Sequence, residues 1–131
     1  MDSLERAAEL AAADILAGTG GRVWLSYEDI GNGQLMVRAS FRVGGTGVFA
    51  NVGQAWPELL STVADGLQEA YVDEFWEARP RCPFHEHPLN ATIDGDAAIW
   101  ACPHGIWQRP IGALTDDAEY LSSLDGPLPR D

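Results

Sequence analysis

Both cysteines and all three histidines of this 131-residue chain fall between positions 82 and 104, and no thiol or imidazole occurs elsewhere. They form two short groups, Cys82-Pro83-Phe84-His85-Glu86-His87 and Cys102-Pro103-His104. Between the groups, Leu89-Asn90-Ala91-Thr92-Ile93 and Ala97-Ala98-Ile99-Trp100-Ala101 flank Asp94-Gly95-Asp96, a strong short-range hairpin signal. With Asp94-Gly95 as a two-residue turn, Ile93 pairs with Asp96, His87 faces Cys102, and His85 faces His104. The hairpin then brings both groups to one end, which is what a shared metal ion requires.

Cys-x-x-His, a hairpin and Cys-x-His together resemble a zinc ribbon, in which two Cys-Pro turns at the base of a hairpin each supply two ligands to a tetrahedral zinc. The resemblance covers residues 79–107. It implies a structural zinc held by Cys82, His85, Cys102 and His104. The pattern departs from two Cys-x-x-Cys turns in using histidine twice and in having one intervening residue in the second pair, so His87 stands as the reserve ligand. Zinc takes thiolate and imidazole readily, and four protein ligands close the site. A disulfide between Cys82 and Cys102, or a metal-free hairpin, is the plain alternative. Phe84, Trp100 and Trp107 lie close to the cluster and are the candidate partner-binding residues.

The same side chains also resemble the ligand set of a Rieske centre, whose 2Fe-2S cluster takes two cysteines on one iron and two histidines on the other. The order here is reversed, with Cys82-x-x-His85 first and Cys102-x-His104 second. That reading implies electron transfer. Other catalytic patterns fail: the zinc deaminase signature needs Pro-Cys-x-x-Cys, whereas Cys102 follows Ala101 and precedes Pro103-His104. All eight basic residues are arginine. Schiff-base chemistry, a pyridoxal phosphate anchor and a phosphate-loop lysine are thereby excluded, and the chain is expected to be non-enzymatic.

Elsewhere the apolar periodicity defines the elements. Asp2 with Glu5 reads as a capping box for a helix over about residues 3–17, with Leu4, Ala8, Ala11 and Ile15 on one face and Gly18 as its stop. Val23, Leu25 and Tyr27 alternate with Trp24, Ser26 and Glu28 as a strand, followed by a turn at Gly31-Asn32-Gly33. A second strand places Leu35, Val37, Ala39, Phe41 and Val43 on a dry face, with Met36, Arg38, Ser40 and Arg42 opposite. Residues 48–52 form a short third strand. A second helix spans about residues 57–78, with Leu60, Val63, Leu67, Tyr71 and Phe75 as its stripe and Asp65, Glu69, Asp73 and Glu77 on the other side. That acidic row is a solvated face, or a site for a cation or an arginine-rich partner. Asp116 and Glu119 cap a short helix over Tyr120, Leu121 and Leu124, and residues 126–131 read as a mobile tail.

The expected fold class is α+β, an antiparallel sheet with helices in the order α-β-β-β-α-β-β-α, the second β pair being the zinc-ribbon-like hairpin. Charge suggests the boundaries. Residues 1–78 carry a formal charge of −8 (twelve acids, four arginines), residues 79–109 are neutral, and residues 110–131 carry −4, for a net −12. The corresponding units are an α-β-β-β-α body (1–78), the hairpin (79–109), and a short helix with its tail (110–131). Such acidity opposes binding to nucleic acid or anionic lipid and favours a protein partner. The element order and acidity also resemble the type III secretion chaperones, which implies a homodimer as a further alternative. Met1-Asp2-Ser3-Leu4-Glu5-Arg6 has neither a basic segment nor an apolar run, so a cytoplasmic protein is expected.

Overall fold

The computed structural model describes residues 1–125, so the tail proposed for 126–131 lies outside the described residues. The chain is α+β: α1 (Asp2–Leu16), β1 (Trp24–Gly31), β2 (Gln34–Ser40), β3 (Thr46–Asn51), α2 (Trp56–Phe75), β4 (Asn90–Asp94), β5 (Ala97–Ala101), β6 (Gln108–Pro110), a 3₁₀ turn (Leu114–Asp116) and α3 (Ala118–Ser123). The strands form two antiparallel three-stranded sheets, β1-β2-β3 and β4-β5-β6.

In α1, Leu4, Ala7, Ala8, Ala11, Ala12 and Ile15 are all buried. The alanines let the helix pack directly against α2. Asp2 is not the cap expected of it: it lies inside the first turn, Met1 is the N-cap, and no side chain caps the helix. The acidic pair at Asp2 and Glu5 still complements the positive end of the helix dipole.

In the first sheet, Asn32 and Gly33 take φ of 56° and 75°, the pair of left-handed residues that a two-residue hairpin loop requires. Val37, Ala39, Val48 and Ala50 turn inward. Two details differ from the expected alternation. Val43 is 82% exposed, because the strand ends at Ser40 before the chain bends. Met36 is buried on the outer face, where Phe49 stands opposite it on β3. Pro57 lies in the first turn of α2, and the helix ends at Phe75, three residues earlier than expected, where Trp76 closes it in the left-handed conformation (φ 55°). Asp65, Glu69, Asp73 and Glu77 are exposed.

The second sheet differs from the expected hairpin in register and in strand number. Asp94 pairs with Ala97, so the loop is Gly95-Asp96, with Gly95 at φ 61°. Glycine tolerates positive φ at the first loop position better than any other residue, and this pulls the turn one residue along. β6 adds a third strand; it has no apolar alternation, and Pro110 is accommodated because β6 is an edge strand. Asp117, not Asp116, is the N-cap of α3, its carboxylate accepting from the Tyr120 N–H at 2.9 Å.

One buried cluster includes Leu4 and Ile15 of α1, Val37 and Val48 of the first sheet, Val63 and Leu67 of α2, and Leu89, Trp100, Cys82 and Cys102 around the second sheet. α2 packs against both sheets. Among the described residues, no helix is long and apolar enough to cross a membrane.

Candidate metal centre

Each cysteine opens a six-residue loop that its own backbone closes. The Cys82 N–H donates to the His87 carbonyl at 3.0 Å, and the Cys102 N–H to the Trp107 carbonyl at 2.8 Å. An antiparallel bridge between Arg81 and Pro88, together with the Leu89 N–H on the Pro80 carbonyl at 2.8 Å, seals the first loop. The second is tightened by the Gly105 N–H on the Cys102 carbonyl at 2.8 Å, with Gly105 at φ 75°. Proline after each cysteine suits such turns, because its fixed φ and missing N–H remove it from ladder pairing.

These loops bring Cys82, His85, His87 and Cys102 together, with one ligand atom from each lying within 4.8 Å of the others. Both thiols are free and buried. The His85 Nδ1 lies 3.4 Å from the Cys82 Sγ and 3.7 Å from the Cys102 Sγ. A tetrahedral zinc, with Zn–S near 2.3 Å and Zn–N near 2.05 Å, places neighbouring sulfur and nitrogen about 3.6 Å apart. The observed separations bracket that value.

His87 carries the most informative detail. Its Nδ1 lies 3.1 Å from the Pro88 carbonyl oxygen, a contact that fixes the proton on Nδ1 and leaves the Nε2 lone pair free. That Nε2 is buried and, among the described residues, has no hydrogen-bond partner. An unsatisfied buried acceptor is costly, and a histidine that donates through one ring nitrogen and leaves the other unpaired has the usual posture of a metal ligand.

Burial pushes the Cys82 thiol up, and the adjacent Cys102 adds to this, against the backbone N–H groups of Phe84 and His85. The Phe84 N–H lies 3.5 Å from the Cys82 Sγ. A protonated Cys82 needs no counter-charge, and a metal that bound the pair would displace the thiol protons.

The sequence placed His104 first and His87 in reserve. His87 is the one brought into the four-residue group, while His104 is exposed at its edge, with ring centres 4.5 Å from His85 and 5.4 Å from His87. Of the proposed partner-binding aromatics, Trp100 is fully buried and donates its Nε1–H to Asp14 at 2.8 Å, so it offers no surface. Trp107 is half-buried, stacked on Tyr120 at 5.5 Å with the Arg109 guanidinium over it at 4.5 Å. Phe84 is 42% exposed.

Three groups that support the centre were not anticipated. The Tyr120 hydroxyl donates to the Arg81 carbonyl at 2.8 Å, fixing the residue before Cys82. Gln68 on α2 donates to the Leu89 carbonyl at the foot of the same loop. Asp14 on α1 accepts from Trp100, from the Gly112 N–H at 2.6 Å and from the Leu114 N–H at 3.2 Å, tying the second sheet to the first helix. The signal for Asp14 was present: it is a lone acid on the apolar stripe of α1.

Comparison of the chain with protein-family models, with curated proteins and with solved structures finds no match.

Proposed function

We propose that this is a small zinc-binding protein in which Cys82, His85, His87 and Cys102 hold one zinc ion at a structural, non-catalytic centre, and that it serves as a protein-interaction module. The observation that carries this reading is the gathering of one ligand atom each from Cys82, His85, His87 and Cys102 within 4.8 Å of one another, with the His87 Nε2 buried and, among the described residues, without a hydrogen-bond partner. Sulfur and imidazole nitrogen in equal number suit zinc. Four protein donors leave no open position for a reactive water, which argues for a structural role. The ribbon-like arrangement of two loops at the end of a small sheet is in keeping with it.

A 2Fe-2S centre would put both sulfurs on one iron and both imidazoles on the other. The His85 Nδ1 lies close to both sulfurs instead, which favours a single ion. The partner is proposed to be a protein that meets Phe84 on the first loop and Ile106, 59% exposed, on the second, since the net charge of −12 opposes nucleic acid.

Native mass spectrometry of the untagged protein, purified under reducing conditions, tests the reading. One zinc per chain is expected, lost on chelation and absent from Cys82→Ala. A metal-free protein that takes up no zinc overturns it.

A further inference from the structure

Three imidazoles crowd a centre that needs two. The ring centre of His104 lies 4.5 Å from that of His85, closer than the 4.7 Å between His85 and His87. Measured from His85, His104 is therefore as near to the cluster as the histidine assigned to it. The difference between them lies in restraint. His87 is held by the Pro88 carbonyl and has its Nε2 buried. His104 is exposed and, among the described residues, has ring contacts but no hydrogen bond. It also sits two residues after Cys102, on the loop opposite the one that carries His85 and His87.

We propose that His87 and His104 are interchangeable fourth ligands of one metal ion held throughout by Cys82, His85 and Cys102. This rests on the zinc reading above and adds to it a means of exchange. In the resting arrangement the restrained His87 completes the tetrahedron. When His87 is released, the unrestrained His104 takes its place, so the ion stays four-coordinate while one of its ligands becomes solvent-exposed. An exposed ligand is the point at which an external thiol or imidazole could enter, so the ion would exchange more readily than in a fully enclosed site. The two loops can exchange ligands because each is closed by its own backbone hydrogen bond and neither depends on the histidine for its shape.

A double-mutant cycle on the full chain tests this. His87→Asn keeps an N–H donor for the Pro88 carbonyl while removing the ligand nitrogen, and His87→Gln serves as a second replacement against a fold defect particular to asparagine. Cobalt(II) titrated into the metal-free, reduced protein gives a thiolate-to-cobalt absorption band that reports Cys82 and Cys102 directly, and zinc affinity follows from competition with a chromophoric chelator. The His87 variants and His104→Asn are each expected to keep the band and to bind zinc within about tenfold of the wild type. The double variant is expected to be weaker by at least about tenfold than the product of the single effects. The proposal is overturned if a His87 variant alone binds as poorly as the double variant, or if the double variant is no weaker than that product. A wild-type protein with no thiolate band defeats the zinc reading itself, an outcome distinct from either.

Discussion

Asp14 ties the first helix to the C-terminal part of the chain. It is 1% exposed, and its carboxylate receives three N–H donors from residues about a hundred positions away. Burial pushes its pKa up, while the Gly112, Trp100 and Leu114 donors pull the other way. Asp14→Ala leaves those donors buried without an acceptor and is expected to cost about 3 kcal/mol in urea unfolding; a loss below about 1 kcal/mol would mean that water replaces the carboxylate. Asp117 provides the pH test. The Tyr120 N–H, and then the Arg109 guanidinium, hold its carboxyl below the usual range against a smaller effect of burial. The fold therefore favours the ionised form, and the stability gained is complete above the ordinary value of 3.8 and is lost as pH falls through the lower folded value. Asp117→Asn can still cap α3 but not pair with Arg109, so it is expected to be less stable by about 0.5 kcal/mol at pH 7. That deficit should shrink in unfolding curves recorded at successively lower pH, as the Asp117 carboxylate takes up its proton. At this scale the sequence pointed to Cys82, His85 and Cys102 as one group, and the fold does gather them with His87. The sequence could not rank His87 against His104, because the choice depends on the Pro88 carbonyl and on the closure of each loop.

Among the elements, α2 sets how closely the first sheet can approach. Gly66 faces Val48 on β3, and a Cβ there would fall well inside van der Waals contact with the valine methyls. Alanine is the better helix former by about 1 kcal/mol, so propensity and packing make opposite forecasts for Gly66→Ala. Packing is expected to win, with a net loss of about 2 kcal/mol, and Val48→Ala in the same chain is expected to recover part of it. A neutral or stabilising Gly66→Ala would show that α2 and β3 are not in this register. The long apolar periods made α1, the three first strands and α2 legible from the sequence. β6 was not, because Gln108-Arg109-Pro110 carries no period of its own and pairs only because β5 presents a free edge. The turn of β4–β5 was misplaced by one residue for a related reason: Asp-Gly and Gly-Asp are both acceptable loops, and the position of Gly95 in the ladder decides between them.

At the level of the whole molecule, the neutral segment that carries the candidate metal ligands is not set apart from the acidic helices. Cys82, Cys102, Leu89 and Trp100 share one buried cluster with Leu4, Val63 and Val37, and Asp14 and Gln68 tie both helices to the segment. Metal binding to the folded form should therefore raise the stability of the entire chain. A single thermal transition is expected with and without zinc, moving to lower temperature on chelation, whereas a separate hairpin transition would show that the two sheets fold independently. The central claim concerns the first coordination sphere, and X-ray absorption at the zinc edge of the loaded, reduced protein measures it directly. Two sulfur neighbours near 2.3 Å and two nitrogen neighbours near 2.0 Å are expected. A shell of oxygen and nitrogen alone, with no sulfur, would contradict it.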